Sequence, residues 1–316
     1  MRILVTGGAG FIGSNLVAEL LEKGAIVRVL DNLSTGKMIN IEPFMQNDRF
    51  SFVQGDITDP EVCLNATIDI DAISHQAALG SVPRSIANPL LTHSVNASGF
   101  LNMLNAAHQN NVKRFVFASS SSVYGDSLIT PKTIGSEGNL LSPYAVTKEL
   151  NEQYAKVFFR LHEMETVGLR YFNVFGPNQD PNGVYAAAIP KFISKMMNGE
   201  EITVHGDGEQ TRDFTYVKNA VQANVRGLTV SNMEVFGRMY NVACGEKYSL
   251  NHVIAVIKES LVQSNKLHPG AKITHGQERP GDIRNSLADI SETIEMLGYS
   301  NPVSFRDGMN SYLKTY

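Results

Sequence analysis

A doubly wound parallel α/β sheet with a smaller α/β lobe is the fold class this chain predicts. Three observations carry it. Residues 4–13, Leu-Val-Thr-Gly-Gly-Ala-Gly-Phe-Ile-Gly, run from an apolar strand into a glycine turn and on into a helical pattern. Apolar runs and helical patterns then alternate as far as Asn173, as a parallel sheet with crossover helices requires. Beyond Asn173 the repeated unit stops, and a turn-rich stretch at 176–183 opens a second region.

The first strand, 2–6, leads into Gly7, Gly8, Gly10 and Gly13. Gly7 or Gly8 permits the tight turn, Gly10 lets phosphates approach the backbone, and Gly13 lets the helix at 14–23 pack on the strand. Backbone amides at such a helix start hold a pyrophosphate. A second strand, 26–30, ends at Asp31, 18 residues after Gly13. A carboxylate there accepts hydrogen bonds from ribose hydroxyls and repels a 2′-phosphate, so NAD is expected rather than NADP. Strands follow at 50–53, 72–74, 114–118 and 166–169, with helices at 61–65, 92–110 and 143–163. Ligands bind such sheets at the carboxyl ends of the strands. The segments 55–57, 76–78 and 119–122 fall there.

The second region predicts a helix at 189–198, a strand at 202–204 and a turn at 206–208. Strands at 213–217 and 239–242 flank a helix at 218–229, and residues 246–316 carry helices at 250–263 and 290–297 with loops between. The expected division is 1–172 plus about 213–245 for the dinucleotide domain, and 173–212 plus about 246–316 for the second lobe.

Bulk properties narrow the partners. The net charge of −4 gives no electrostatic case for nucleic acid or an anionic membrane surface. No apolar run approaches the ~18 residues of a membrane span, and a strand starting at residue 2 leaves no room for a signal peptide. Cys63 and Cys244 are expected as reduced, buried thiols, and with no cysteine–histidine cluster no metal site is expected. A cytoplasmic location is expected.

Tyr144 and Lys148 lie four apart on the helix that opens at Ser142-Pro143, hence on one face. A phenol titrates near ~10 unperturbed. A neighbouring ammonium and a positively charged nicotinamide ring favour the phenolate and make it a general base. The run Ser119-Ser120-Ser121-Ser122 follows an apolar strand, and one or two of these hydroxyls are expected to share the reacting proton, the others satisfying loop backbone.

These motifs together, Gly7/Gly10/Gly13, Asp31, residues 119–125 and Tyr144/Lys148, resemble the extended short-chain dehydrogenase/reductase family, in its NAD-dependent epimerase/dehydratase group, over essentially the whole chain. Residues 169–177, the Gly206-Asp207-Gly208…Arg212-Asp213-Phe214 segment and Arg279-Pro280-Gly281-Asp282 are similar to its nucleotide-sugar branch, whose members are often homodimers. The resemblance implies a Rossmann sheet with a substrate-binding lobe. It implies Tyr144 as base, Lys148 as ribose-binding lysine and Ser120 as the catalytic hydroxyl. For the cofactor it implies Gly7, Gly10, Phe11, Ile12, Gly13, Asp31, Asn32, Ser34, Thr35, Gly36, Asp56, Ile57, Gln76, Ala77, Ala78, Asn96, Ser119, Tyr144, Lys148 and Tyr171. For the substrate it implies Asn173 on the diphosphate, Arg212 and Arg279 on the phosphates and Asp282 on a ribose, with Gly80, Ser81, Arg84, Ser120, Ser121, Ser122, Gln179, Ala187 and Ser286 around the sugar. Without the resemblance, each arginine reads rather as the partner in a surface or interlobe ion pair.

Dehydratases of this family carry an acidic residue where this chain has Ser121-Ser122, and UDP-glucuronate decarboxylases carry a glutamate in the same stretch. Serines cannot titrate for those steps, so epimerisation at C4 of a UDP-hexose through a 4-keto intermediate remains. Residues 76–85, 179–183 and 286–290 are similar to bacterial UDP-N-acetylglucosamine 4-epimerases. Ser286 stands where enzymes that reject N-acetyl sugars have a tyrosine, and a small side chain leaves volume for the acetamide. Arg84 keeps uronic acid forms open. The competing expectations are a nucleotide-sugar reductase or dehydrogenase that exchanges its cofactor each turnover, and a non-catalytic NAD sensor. The helices at 92–110 and 143–163 read either as a dimer face or as core-facing.

Overall fold

The computed structural model describes residues 1–182, 187–277 and 284–316. In chain order the first half runs β1 (Arg2–Thr6), α1 (Phe11–Glu22), β2 (Ile26–Asp31), β3 (Phe50–Gln54), α2 (Pro60–Ala66), β4 (Ala72–His75), α3 (Val82–Ala87), α4 (Pro89–His93), α5 (Gly99–Gln109), β5 (Arg114–Ser120), α6 (Pro143–His162) and β6 (Glu165–Tyr171). The second half runs β7 (Val174–Phe175), α7 (Ala188–Asn198), β8 (Glu201–His205), β9 (Thr211–Arg212), β10 (Thr215–Tyr216), α8 (Val217–Thr229), β11 (Arg238–Val242), β12 (Tyr248–Ser249), α9 (Leu250–Gln263), β13 (Lys272–Gly276), α10 (Ser291–Leu297) and α11 (Phe305–Leu313).

Seven strands pair in the order β11-β6-β5-β4-β1-β2-β3, every pair parallel. The apolar runs explain the double winding. Ile3, Val5, Val27, Val29, Val116 and Val167 point to one face, where Leu16, Val17 and Leu20 of α1 and Ala220, Val221 and Ala223 of α8 cover them. Leu4, Leu30, Ile73, Phe115 and Phe117 point to the other, against Cys63 of α2, Phe100 and Met103 of α5 and Ala155 of α6. A strand buried on both faces must be apolar at successive positions, and these are. Strand order reverses between β1 and β4, so the crevice for ligands lies beyond Thr6 and His75.

Several elements differ from the sequence reading. The helix expected at 92–110 starts earlier, at Pro89, and is interrupted by a π-turn at Ser94–Ser98. That turn carries Asn96, whose amide grips both the N–H and the carbonyl of Leu79. The strand expected at 213–217 shortens to Thr215–Tyr216, because the Asp213 carboxylate instead accepts from the N–H groups of Cys244 and Gly245. Residues read as loops form β13, which pairs with β8, and α11, which buries Phe305, Met309 and Tyr312 against its neighbours. Helix α3 was not foreseen. Both cysteines are free and buried, as expected.

The glycine turn is settled in detail. Gly7 takes the positive φ of 66°, so it and not Gly8 makes the turn. A Cβ on Gly13 would stand 2.1 Å from the Gly7 carbonyl oxygen, so Gly13 lets α1 pack on the turn itself. We expect Gly13→Ala to cost about 1–3 kcal/mol through overpacking, read as a fall of several degrees in Tm and a lower NAD content of the purified protein. An unchanged Tm and NAD content would show that the close approach is not needed.

Candidate active site

A cleft of about 550 Å³ opens at the carboxyl edge of the sheet. One end is lined by Gly7, Gly10, Phe11, Ile12, Gly13, Asp31, Asn32, Ser34 and Thr35. Ile57, Gln76, Ala77 and Ala78 follow, and Ser119, Ser120, Ser121, Tyr144, Lys148 and Tyr171 close the other end, with Gly80, Ser81, Asn173 and Gln179 beside them. The geometry fits a dinucleotide. Helix α1 starts at Gly10 with no side-chain cap, leaving its first N–H groups for an anion. Asp31 accepts from Ala9 N (2.9 Å) and Leu33 N (2.8 Å), and burial pushes its carboxyl up against those two bonds.

Three residues expected at the cofactor do not line the cleft. Gly36 lies against Asp31, where a Cβ would sit 2.9 Å from both carboxylate oxygens. Asp56 accepts from Asn32 Nδ2 at 2.6 Å and so holds that lining residue from behind. Asn96 is buried under Leu79.

The catalytic end is built by α6 against the end of β5. Ser142 caps α6 by accepting from Ala145 N, and Pro143 fills its first turn. Ser120 lies beside Tyr144 and opposes the rise of its phenol, and Ser120 Oγ accepts from Ser122 N at 3.1 Å. Lys148 Nζ donates to the Ala118 carbonyl at 2.8 Å and lies 5.9 Å from the Tyr144 ring centre. The four serines therefore divide. Ser120 stands beside Tyr144, Ser121 lines the cleft, Ser119 Oγ donates to Glu152 at 2.5 Å, and Ser122 Oγ is buried without a partner among the described residues, away from the lining.

Burial raises the Tyr144 phenol, opposed by Ser120. On the same helix, burial lowers Lys148 to about 8 against the pull of Glu152, and its ammonium donates to the Ala118 carbonyl. Within the protein alone, the phenol stays protonated.

The remaining substrate residues sit outside this cleft. Arg84 lies in the first turn of α3, its N–H donating to Ser81 Oγ, and Ala187 precedes α7. Arg212 is on β9, where its guanidinium donates to the Thr211 carbonyl. Ser286 donates its N–H to that same carbonyl at 3.1 Å, so it lies beside Arg212. Arg279 and Asp282 fall outside the described residues.

Several residues were missed by the sequence reading. A second cavity, about 440 Å³, is lined by Lys191, Lys195, Thr203, His205 and Gln210 among others; the spacing of Lys191 and Lys195 on α7 was its one signal. His75 is buried, shares a hydrogen bond with Thr6 Oγ1 and stacks on Phe115, and burial lowers it to about 3, so it stays neutral. Asn224 holds the Tyr171 hydroxyl (2.6 Å), which in turn donates to Gln76 Oε1 (3.0 Å), fixing one wall of the cleft. Glu152 and Arg170 form a buried ion pair behind the serines.

Residues 3–243 match the model of the NAD-dependent epimerase/dehydratase family, and the chain belongs to that family. It is 35% identical over 309 residues to a putative UDP-glucose 4-epimerase of Methanocaldococcus jannaschii, covering 97% of this chain and 95% of that one. The UDP-N-acetylglucosamine 4-epimerase of Methanobrevibacter ruminantium M1, solved with UDP-N-acetylmuramic acid, superimposes with a TM-score of 0.90 at 38% identity, over 99% of this chain and 97% of the other. The UDP-glucuronic acid 4-epimerase of Bacillus cereus, solved with UDP-glucuronic acid and NAD, gives 0.88 at 32%, over 99% and 98%. The protein is thus an NAD-dependent enzyme of the epimerase type, not a sensor that has lost its catalytic groups.

If Tyr144 is the base, Tyr144→Phe should lose ~10²–10⁴-fold in kcat while still binding UDP-sugar in a calorimetric titration. A variant turning over at the wild-type rate would place the base elsewhere.

Proposed function

We propose that this protein interconverts the C4 epimers of a UDP-hexose, with UDP-N-acetylglucosamine and UDP-N-acetylgalactosamine as the preferred pair and UDP-glucose and UDP-galactose also accepted. The observation that carries it is that Tyr144, Lys148 and Ser120 line one cleft with Asp31 and the glycine turn. The serine run holds no acid for elimination or decarboxylation, which favours simple epimerisation.

NAD, when bound, supplies a hydride acceptor and donor at C4 of the sugar. The glycine turn and the open end of α1 would hold its pyrophosphate, Asp31 one ribose, and Lys148 and Tyr144 the other end. Tyr144 removes the O4 proton, Ser120 steadies the oxygen between them, and the same pair returns the proton once the keto sugar has turned. The rigid Tyr171–Gln76–Asn224 wall keeps water and the sugar in their places. Asn173 and Arg212, together with Arg279, would anchor the diphosphate, Asp282 the substrate ribose, and the cavity beside Lys191 and Lys195 suits the nucleotide.

The proposed division follows the sequence reading, with the substrate lobe at 173–212 and about 246–316. A second reading, a UDP-uronate 4-epimerase, is supported by the Bacillus cereus structure and by Arg84 near Ser81. We place the enzyme in the cytoplasm, a reducing compartment that suits two free buried thiols. Exposed apolar residues on α3, α4 and α6, namely Ile86, Leu90, Leu91, Val146, Val157 and Leu161, support a homodimer through this face.

Incubation with a panel of UDP-sugars, without added NAD and followed by anion-exchange separation, tests this reading. Epimers of the N-acetyl pair should form fastest. Strict dependence on added cofactor, or turnover of UDP-uronates alone, would contradict it. Ser286→Tyr should lower the ratio of kcat/KM for N-acetylated over plain UDP-hexoses by at least ~10-fold. An equal effect on both classes would remove Ser286 from the acetamide pocket.

A further inference from the structure

Helix α6 touches the end of β5 through three side chains on successive turns. Tyr144 meets Ser120, Lys148 meets the Ala118 carbonyl, and Glu152 meets Ser119. The first two contacts belong to the chemistry already described. The third, at 2.5 Å, is shorter than the second, and it lies fully inside the protein, with Glu152 1% exposed. Behind it stands Arg170 on β6, the register partner of Ser119 across the sheet. Arg170 grips Glu152 with two bonds, Nε to Oε1 at 2.8 Å and Nη2 to Oε2 at 2.7 Å. Arg170 is itself held by Glu137 and by the face of the Tyr124 ring, 4.9 Å away.

A buried ion pair is costly unless its geometry is excellent, and a well-packed apolar pair is often at least as stable. Stability alone therefore gives little reason for a carboxylate here. Its location gives one. We propose that Glu152 is a positioning residue for the reaction: it ties the end of β5 to α6 so that Ser120 meets Tyr144, and it stands as the counter-charge of Lys148.

The charges around Lys148 favour this role. On its own helix it faces Tyr144 and Glu152, and from β4 the neutral His75. Glu152 is the only one of these three that carries a charge of opposite sign to the ammonium. Around Glu152 stand Arg170 from β6, with Glu137 and Tyr124 beyond it. Burial already lowers Lys148 to about 8, and Glu152 is what opposes the fall. Without that charge, the lysine loses its proton at a lower pH.

The inference rests on the epimerase reading, so its test has an arm that needs no turnover. Competitive amine labelling with mass-spectrometric detection gives the titration midpoint of Lys148 in wild type and in Glu152→Gln. The midpoint should move down in the variant; an unmoved midpoint overturns the counter-charge role. With UDP-sugar as substrate, Glu152→Gln should lower kcat by about 10–100-fold, change KM by less than about 3-fold, and shift the alkaline fall of kcat to lower pH. Glu152→Asp should recover part of the rate. Wild-type kcat, or an equal effect on kcat and KM with an unshifted pH profile, overturns the positioning role. If wild type itself is inactive on every UDP-sugar, the functional reading fails and the labelling arm still judges Glu152. Where Glu152→Gln does not fold, Ser119→Ala keeps the Glu152–Arg170 pair. It should lose kcat with little change in KM, and full kcat would overturn the proposal.

Discussion

The Gly7 carbonyl and the first turn of α1 approach so closely that no side-chain carbon fits between them at Gly13. This contact sets where α1 begins, and α1 sets the cleft. Because the helix starts against the turn, its first N–H groups face the gap between β1 and β4, where strand order reverses. Asp31 then reaches the same gap from β2 and is held there by Ala9 and Leu33 N–H groups. The glycine turn and Asp31 thus come from one short stretch at the start of the chain. The opposite end of the cleft needs residues more than a hundred positions further on, which only the sheet brings near.

At that opposite end, burial sets the chemistry. Tyr144 and Lys148 are both enclosed, and enclosure penalises the charged form of each. The protein alone therefore keeps a neutral phenol and an ammonium that is easily lost. A positive charge arriving with the cofactor is what favours the phenolate.

Much of this was legible in the sequence because it was local. The glycine turn, Asp31 and the Tyr144/Lys148 spacing each depend on a few neighbouring residues, and the sheet strands announce themselves by apolar runs. What was not legible depends on distant contacts. Residues 92–110 carry helical periodicity, yet the π-turn arises because Asn96 must reach Leu79. Residues 213–217 look like a strand, yet Asp213 is drawn to Cys244 and Gly245 instead. Gly36, Asp56 and Asn96, expected at the cofactor, contact residues that line the cleft. Glu152 repeats the four-residue spacing of Tyr144 and Lys148, so the signal existed; its meaning depends on Arg170, which lies in another strand. Arg212 and Ser286, expected at different parts of the substrate, share the Thr211 carbonyl.

The central claim is that proton removal by Tyr144 is coupled to a hydride that leaves C4 and returns to it without meeting solvent. Epimerisation of a UDP-hexose in D2O, followed by NMR of the product ring, tests it directly. The account predicts product that keeps protium at C4 and at both neighbouring ring carbons. Deuterium at C4, or at C3 or C5, would mean that the hydrogen is exchanged as a proton and that the epimerisation runs by a different chemistry.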